Sequence, residues 1–456
     1  MTNQRITPPC EVGKILEIEI TSLNHRGEGV GKKNGFTIFV PKALPGEKVE
    51  VKVTALRRNY AEAALLSLIS SADHRTSPPC PYFNRCGGCQ VQHLDYEKQL
   101  AWKQDMVNET LRRIAAIEAP VLPIIGMDNP WSFRNKAQIH LGLDSRRVIA
   151  GFFEAKSHQI IDIEDCLVQH PLIAQMINHI RTAGQKYIDM QDRRDRDYLP
   201  VNGAVVRSSF STTRSLITLT GKESSNPGSL KKLASLIYGE AKHIIAGVTL
   251  LQAGKNGGSI KHINLFGQPF LEEEIAPYRY RISPQSFFQV NPRQAAVLYE
   301  QAALLAGNPR TAFDLYCGTG NFALYLSQKA DNVIGVDSES SAIEDARANN
   351  ALNNINNVKF INARAEEIPG LLLKGEHPKT LYLNPPRDGC SPSLLEAAAA
   401  AKPERIIYIS CNPATLARDL KLLPQNEFKI RQVQPIDMFP HTSHVETVTL
   451  IEYMPN

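Results

Sequence analysis

The sequence predicts a multidomain protein with an N-terminal OB-like β-barrel, a central α+β region and a C-terminal Rossmann-like α/β domain. Three observations support this prediction. Apolar and polar residues alternate through residues 1–72, with Gly, Asn and Pro at the breaks. A Ser-, Pro- and Gly-rich stretch with three cysteines opens the central region, residues 73–279. From residue 280 to 456, strand-like and helix-like segments alternate, which is typical of a mostly parallel sheet covered on both faces.

Composition and charge narrow the possible classes of protein. The chain has 456 residues, of which 43% are hydrophobic and 21% charged, as in ordinary globular proteins. No apolar run approaches the roughly 18 residues that span a membrane, and the start, MTNQRITPPC, lacks the core of a secretory signal. We therefore expect a cytoplasmic protein without a membrane partner. The net charge of +5 permits contact with nucleic acid without demonstrating it.

The N-terminal barrel is modestly basic. Residues 1–70 contain ten Lys or Arg against seven Glu. Small barrels often bind oligonucleotides on one face, and a merely solvated surface is the alternative. The stretch HRGEGVGKKNGFTIFVPKALPGEKV, residues 25–49, resembles the TRAM domain. Because TRAM domains are small RNA-binding barrels of RNA-modifying enzymes, this resemblance implies RNA as a partner.

The eight cysteines of a chain without a secretory signal indicate thiols, metal ligands or catalysts rather than a disulfide scaffold. Cys80, Cys86 and Cys89 form a C-x5-C-x2-C array in CPYFNRCGGC. Zinc and iron–sulfur clusters both use thiolates at such sites. A fourth ligand is required, and Cys166 in IEDCLVQHP is the leading candidate.

The remaining central elements are less distinct. An amphipathic helix is predicted from Asp95 to about Ile117. Two more helices are predicted near residues 172–187 and 229–238. Strands are predicted for RVIAGFFEA, AVVRSSF, SLITLTG and HIIAGVTLL.

In the C-terminal domain, two helices and five strands are predicted in alternation. The helices are PRQAAVLYEQAALLAG and SSAIEDARANNALNNI, and the strands are TAFDLY, NVIGVD, VKFINA, KTLYL and RIIYIS. Strands and helices of these lengths in alternation predict a parallel sheet.

A glycine turn indicates a nucleoside-containing cofactor. In DLYCGTGNFAL, Gly318 and Gly320 follow a strand and permit close approach of the backbone to a ligand. Asp337, at the end of the next strand, can accept hydrogen bonds from ribose hydroxyls. The absence of a G-x-G-x-x-G pattern disfavours a dinucleotide. Together with NPP at residues 384–386, these features resemble a class I S-adenosylmethionine-dependent methyltransferase. Amino-group methyltransferases usually follow NPP with an aromatic residue, whereas this chain has Arg387.

The strand RIIYIS delivers Cys411 to the end of the sheet where active sites of open α/β folds lie. Simple packing of a buried thiol is the alternative. A thiolate that adds to carbon 6 of uracil makes carbon 5 nucleophilic, and a carboxylate must then remove the carbon 5 proton. Glu446 in HVETVTLIEY is the candidate for this base.

Five motifs in order resemble the RNA uracil-5-methyltransferase family over nearly the whole chain. They are SPQSFFQVNP, DLYCGTGNF, NPPRDG, SCNPATLARDL and DMFPHTSHVE. The resemblance implies that Cys411 is the nucleophile and Glu446 the general base. Residues at the family's S-adenosylmethionine-binding positions are Gln289, Tyr316, Asn321, Asp337 and, with less support, Asn384. Cys317 and Cys390 match no family role and are expected to be packing residues.

The resemblance also concerns the cysteine array and the substrate. Many family members bind a [4Fe-4S] cluster with a similar array and a fourth cysteine in a stretch like that of Cys166, which favours iron–sulfur over zinc. The barrel together with the array favours the 23S rRNA enzymes. The resemblance further implies that the helix of residues 95–117 packs on the catalytic domain.

One residue departs from the family pattern, and three alternatives remain. The family usually has Asp where this chain has Asn384, which loses the charge, keeps a carbonyl acceptor and gains a donor. The alternatives are a tRNA uracil-54 methyltransferase, an amino-methyltransferase that needs no thiol, and a non-catalytic RNA-binding assembly factor. No obligate protein partner is evident.

Overall fold

A computed structural model describes most of the chain, namely residues 11–192, 198–221, 225–252, 261–367 and 379–455. The chain divides into two compact units. The first contains residues 1–106 and 439–444, and the second contains residues 107–438 and 445–456. None of the helices in the described ranges combines the length and apolar character that crossing a membrane requires.

The first unit contains a closed five-stranded barrel with the neighbour order β1-β2-β3-β5-β4. Its strands are β1 Ile15–Leu23, β2 Glu28–Lys33, β3 Phe36–Pro41, β4 Lys48–Leu56 and β5 Tyr60–Ser70. Alternate residues point inward, and Ile20, Ile38, Val40 and Val51 are fully buried. The barrel predicted from the alternating pattern is therefore confirmed.

A loop that contains the three clustered cysteines follows the barrel and is anchored within the same unit. Arg75 forms an ion pair with the fully buried Glu47 carboxylate, with 2.8 Å between Nη2 and Oε2. Glu47 also accepts a hydrogen bond from the backbone N–H of Leu44. Val91 and Leu94 join Leu44 in a small buried apolar cluster. These contacts fix both ends of the cysteine loop to the barrel.

Helix α1, Tyr96–Thr110, continues directly into a single π-helical turn, Leu111–Ala115. The turn ends at Ala116, whose φ of 54° lies in the left-handed region and stops the helix. The helix predicted from Asp95 to about Ile117 thus occurs with nearly these bounds. The prediction did not include the change to π geometry.

The second unit begins with a seven-stranded sheet of order β12-β11-β10-β9-β6-β7-β8. Helices α2 and α3 bury an apolar core against one face of this sheet. A separate β13–β14 hairpin follows. The bounds are β6 Lys136–Asp144, β7 Arg147–Phe153, β8 Ile160–Asp162, α2 Pro171–Asp189, β9 Val201–Ser208, β10 Ser215–Gly221, α3 Pro227–Ala241, β11 Ile245–Gln252, β12 Lys261–Gly267, β13 Leu271–Ile275 and β14 Tyr278–Ile282.

A second seven-stranded sheet of order β17-β16-β15-β18-β19-β21-β20 forms the C-terminal part. Strands β15 to β19 are parallel, and β21 and β20 extend the sheet in antiparallel fashion. The bounds are α4 Pro292–Leu305, β15 Thr311–Leu315, α5 Asn321–Leu326, β16 Asn332–Asp337, α6 Ser340–Leu352, β17 Val358–Asn362, β18 Thr380–Leu383, α7 Pro392–Ala400, β19 Arg405–Ser410, α8 Pro413–Leu422, β20 Phe428–Ile436 and β21 Glu446–Tyr453. The π turn at Leu111–Ala115 packs against α8.

The predicted α/β domain is confirmed, and its strands follow the apolar runs closely. Strands β15 and β18 are buried on both faces, which explains why they appear in the sequence as continuous apolar segments. The chain order reverses between β15 and β18. Ligands of open parallel sheets bind in the crevice at such a switch point, outside the carboxyl ends of the strands.

Candidate active site

The two glycines of the turn after β15 serve different purposes. Gly318 has a φ of 53°, and a Cβ atom built on it meets no atom within 4 Å. Gly320 has a φ of 77°, but a Cβ there would lie 2.8 Å from Cζ of Phe360. Gly318 therefore leaves open space for a ligand, whereas Gly320 permits close packing of the turn. Tyr316 also has a positive φ, 65°, a strained conformation that is common at functional sites.

A recess of about 340 Å³ opens beside this turn. Four predicted cofactor residues line it, namely Gln289, Tyr316, Asn321 and Asn384. Asn321 is held by a hydrogen bond from its amide to the hydroxyl of Tyr299, at 3.2 Å. These side chains come from three separate segments, and the fold brings them together at the switch point.

The fifth predicted cofactor residue, Asp337, is not among the residues that line the recess. Its Oδ2 accepts a hydrogen bond from the backbone N–H of Gly318 at 2.9 Å, and its Oδ1 accepts one from Glu339 at 3.0 Å. Asp337 thus holds the glycine turn in place. A carboxylate has further acceptor capacity for a ligand.

Asp314 is a residue of the recess that the sequence analysis did not single out. Its side chain is buried, and neither carboxylate oxygen has a hydrogen-bond partner within the described ranges. Burial, reinforced by the charge of Asp337, raises the pKa of Asp314 to about 8. Such an acid can accept hydrogen bonds from a cationic ligand, and a cation there would lower its pKa.

Cys411 directly follows β19, and Glu446 is the first residue of the adjacent strand β21. In the antiparallel ladder of β19 and β21, Ser410 is the Cα partner of Thr447. The hydroxyl of Thr447 donates a hydrogen bond to the carbonyl of Ser410 at 3.1 Å. One further step along this ladder places Cys411 opposite Glu446. The structure therefore brings the two predicted catalytic residues together.

The electrostatics of this pair depend on Arg387. Burial, together with the charge of Glu446, raises the pKa of Cys411 to about 11, and Arg387 opposes this shift. Glu446 is only 4% exposed, and burial raises its pKa to about 8, again against the effect of Arg387. The guanidinium thus favours the charged forms of both groups. Arg387 was missed as a functional residue, although a cation directly after NPP at the edge of the sheet was an available signal.

The loop that carries Arg387 is fixed by the start of helix α8. The carbonyl oxygen of Arg387 accepts hydrogen bonds from the amide of Asn412 and the hydroxyl of Thr415, both at 3.2 Å. The fully buried Asp419 carboxylate accepts one from the backbone N–H of Cys390 at 2.8 Å and one from the hydroxyl of Tyr408. The segment after Cys411 therefore also positions the Arg387 loop.

A second loop, residues 283–291, borders the recess. Asp345 accepts hydrogen bonds from the hydroxyls of Ser283 and Ser286, both at 2.7 Å. Phe287 lines the recess, yet its side chain is 67% exposed. An exposed aromatic ring at the opening of the recess is suited to stacking on a base.

The other cysteines in the described ranges fall into two groups. Cys317 and Cys390 are buried, as expected for packing residues. Cys80, Cys86, Cys89 and Cys166 are half-buried. The first three lie in the loop of the first unit, where Cys86 Sγ accepts a hydrogen bond from the backbone of Gly88 at 3.4 Å. Within the described part of the chain, no group of three or more His, Cys, Asp or Glu is arranged to hold a metal ion. The predicted cluster is therefore not shown.

Comparison with known proteins gives concordant results. The family model described as tRNA (uracil-5-)-methyltransferase matches residues 259–454, and the TRAM domain model matches residues 9–66. An uncharacterized RNA methyltransferase of Clostridium tetani is 38% identical over 452 residues, which cover 98% of each chain. One from Bacillus cereus is 38% identical over 455 residues, covering 98% of each chain.

A solved structure agrees with the sequence relatives. The Pyrococcus abyssi tRNA (uracil-54, C5)-methyltransferase, in complex with S-adenosyl-L-homocysteine, is 29% identical, with a TM-score of 0.74. The match covers 95% of this chain and 99% of that one. With the family models and the relatives, it shows that this chain belongs to the RNA uracil-5-methyltransferase family and is an RNA methyltransferase with an N-terminal TRAM domain.

Proposed function

We propose that this enzyme transfers a methyl group from S-adenosylmethionine to carbon 5 of a uridine in RNA, through a covalent adduct with Cys411. The observation that carries the proposal is the register of β19 and β21, which brings Cys411 beside the buried Glu446. Asn384, in the cofactor recess, and Arg387, which acts on both groups, lie three positions apart in one loop.

The residues have complementary roles in this reaction. The Cys411 thiolate adds to carbon 6 of the uracil, and the ring becomes an enolate that is nucleophilic at carbon 5. S-adenosylmethionine, when bound, supplies the methyl group that carbon 5 attacks. Glu446 then removes the carbon 5 proton, and elimination restores the ring and frees the Cys411 thiolate.

The recess is suited to S-adenosylmethionine. The sulfonium and ammonium groups of S-adenosylmethionine are cationic. Asp314 lines the recess, and its carboxylate has no hydrogen-bond partner among the described residues. The open space at Gly318 permits close approach of a ligand to the backbone. Gln289, Asn321 and Asn384 add polar groups for orientation.

Two variants test the chemistry. Cys411→Ala should abolish methylation, whereas an amino-methyltransferase would keep its activity. Glu446→Gln should accumulate a covalent protein–RNA species, because adduct formation remains possible while proton removal does not. A slower band in denaturing gels, absent from the double variant with Cys411→Ala, would support the proposal. A Glu446→Gln enzyme with normal turnover would refute the role of Glu446.

We propose a uridine of 23S rRNA as the substrate, on the basis of the TRAM barrel combined with the cysteine array. The rival is uracil 54 of tRNA, which is favoured by the Pyrococcus abyssi structure. Separated 23S rRNA and tRNA, each lacking 5-methyluridine, would be incubated with enzyme and S-adenosylmethionine. Nucleoside mass spectrometry should find 5-methyluridine in the rRNA, and its appearance only in tRNA would overturn this choice. Methylation of neither, with cofactor bound, would favour a non-catalytic RNA-binding factor.

We further propose a [4Fe-4S] cluster with Cys80, Cys86, Cys89 and Cys166 as ligands, with zinc as the alternative metal. The support is the donor set, since half-buried thiols suit thiolate ligation. Methyl transfer moves no electrons through such a cluster, so its role would be structural. Anaerobically purified protein should contain iron and absorb broadly in the visible range. Zinc alone, or no metal, would refute the proposal.

The proposed division of labour follows the three sequence regions. Residues 1–72 would grip RNA, residues 73–279 would carry the cluster and add RNA contacts, and residues 280–456 would perform the chemistry in the cytoplasm. The helix at residues 95–117 would pack on the catalytic domain, although it precedes that domain in the sequence. The contact of Leu111–Ala115 with α8 supports this assignment.

A further inference from the structure

One face of the central sheet is open where strands β6 and β7 lie. Along β6, every second residue from Ala137 to Leu141 faces the core under the helices. The alternation of a strand therefore sends Lys136, Gln138 and His140 to the opposite face. On that face Gln138 is exposed, and Lys136 and His140 are half-buried.

Two cations face each other on this surface, and neither forms an ion pair with a residue that the structure describes. Lys136 and Arg207 are Cα partners across β6 and β9, an arrangement of like charges that destabilises a sheet. Arg207 is 3% exposed; its Nη2 donates to the carbonyl of Ser286 at 3.1 Å, and its Nη1 has no partner in the described ranges. Among the described residues, neither cation forms an ion pair, although Asp345 and Glu273 act on Arg207 from farther away. Within the described part of the chain, no carboxylate therefore contacts either cation directly.

The pKa of Lys136 is lowered mainly by burial and further by the neighbouring cations. Burial, followed by the charges of Arg207 and Arg134, lowers the pKa of Lys136 to about 8. An anion that bound beside Lys136 would raise its pKa again and so favour the charged form of the lysine. None of the described residues places a negative group beside Lys136, and an anionic ligand can supply one.

The cation pair lies next to the candidate active site. The backbone N–H of Asn135 donates to the carbonyl of Val290 at 2.7 Å, and Arg207 bonds to Ser286 in the same loop. Between these contacts lie Phe287 and Gln289, which line the cofactor recess. The end of β6 that carries Lys136 is therefore joined directly to the loop that borders the recess.

An aromatic stack lies farther along the same face. His140 stacks on Phe153 with ring centroids 3.5 Å apart and an interplanar angle of 14°, and His158 packs edge-on at 5.2 Å from Phe153. At a rise of about 3.3 Å per residue, His140 lies about 13 Å from Lys136 along β6. The cations and the stack thus form a continuous strip that starts at the active-site loop.

We propose that this strip, Lys136 with Arg207 behind it and the His140–Phe153 stack beyond, binds single-stranded RNA that flanks the target uridine. Lys136 contacts a phosphodiester, and the rings receive a neighbouring base. Uncompensated cations beside an aromatic platform are the features with which proteins bind single strands. This inference rests on the proposed function, because it assumes that the recess receives a uridine of the same RNA.

The test compares Lys136→Met and Phe153→Leu with wild-type enzyme. The matched control is Lys231→Met, which removes an exposed lysine from α3, on the opposite face of the same sheet. The probe is a fluorescein-labelled single-stranded oligouridine of roughly 20 nucleotides, long enough for the site sizes of single-strand-binding proteins. Fluorescence anisotropy at several salt concentrations gives the dissociation constant and its salt dependence. Calorimetry with S-adenosyl-L-homocysteine measures the cofactor site separately.

We expect Lys136→Met to weaken RNA binding about tenfold, the usual effect of losing one charge-assisted hydrogen bond. The slope of log affinity against log salt should fall by about 0.7, which corresponds to one phosphate contact on a single strand. Phe153→Leu should weaken binding about tenfold without changing that slope. Lys136→Arg, which keeps the charge, should retain most of the affinity, and the affinity for S-adenosyl-L-homocysteine should not change in any variant.

Two results would overturn the proposal that this strip binds RNA. RNA affinities equal to that of Lys231→Met would mean that the face serves another partner, such as a protein. A matching loss of affinity for S-adenosyl-L-homocysteine in Lys136→Met would assign the cations to the cofactor carboxylate. Failure of the proposed function is distinguishable, because wild-type enzyme would then bind the probe in a Lys136-dependent manner but methylate no uridine.

Discussion

Removal of the Arg387 charge should impair Cys411 and Glu446, the two proposed catalytic groups, at once. Arg387 lowers the pKa of Cys411 and that of Glu446, against the burial that raises them to about 11 and about 8. Arg387→Gln keeps the backbone carbonyl that Asn412 and Thr415 hold, so the loop should stay in place. The substitution therefore removes the charge of the side chain, together with its hydrogen bond to Cys411, without releasing the loop.

The size of the effect follows from the two shifts. A neighbouring cation lowers an acid's pKa by about 1–3 units, and each unit changes the deprotonated fraction tenfold below the pKa. With a loss of only about one unit at each group, the doubly deprotonated population near pH 7 falls roughly 100-fold. Both groups act in their deprotonated forms, so the rate rises with pH, and the variant's profile should lie at higher pH.

The assay is transfer of a radiolabelled methyl group to RNA, measured as kcat/KM from pH 6 to 9.5. We expect Arg387→Gln to lose about 100-fold near pH 7 and to recover part of this loss at the alkaline end. Arg279→Gln, at an exposed arginine of β14, is the control for a general loss of charge. A deficit of the same size at every pH would refute the electrostatic reasoning and leave Arg387 only a positioning role.

Three further predictions concern the cofactor recess. In the unliganded enzyme, Asp314→Asn should raise the thermal midpoint at pH 8.5 but not at pH 4. The reason is that Asp314 has a pKa of about 8 in the folded protein and near 4 in the unfolded chain, so stability is lost as the pH rises between these values. Equal thermal midpoints of wild type and variant at pH 8.5 would contradict this. Gly320→Ala should cost about 2–3 kcal/mol of stability in urea unfolding, because the new Cβ meets Phe360. Gly318→Ala should cost only about 1 kcal/mol and should mainly weaken S-adenosyl-L-homocysteine binding, measured by calorimetry. Equal stabilities of the two variants would refute the distinction. Asn384→Asp should change turnover less than about threefold, since both side chains present a carbonyl-type oxygen to the recess, and a large rise would show that the natural residue is a handicap.

The sequence predicted the features whose signal is local. Strands β18 and β19 match the apolar runs KTLYL and RIIYIS because a strand buried on both faces needs a continuous apolar segment. The barrel was predicted by its alternation, which reflects one buried and one solvated face. The order of the five motifs indicated the family before any spatial information.

The features that the sequence did not predict depend on long-range contacts. Nothing local distinguishes Asp314 from a solvated acid, since its raised pKa comes from the strands and helices around it. Arg387 acts through its distance to Cys411 and Glu446, which depends on the pairing of β19 with both β18 and β21. The pairing of Lys136 with Arg207 joins strands about 70 positions apart in the sequence, and nothing in the local pattern of either strand announces it.

The buried carboxylate of Asp419 also has a consequence for dynamics. It accepts hydrogen bonds from the hydroxyl of Tyr408 on β19 and from the backbone N–H of Cys390, while its own helix begins two residues after Cys411. None of these segments can open alone without leaving a buried charge with fewer hydrogen bonds. We therefore expect β19, the Cys390 loop and α8 to exchange their amide hydrogens as one cooperative unit, and the amide of Cys390 to be as slow as the centre of the sheet.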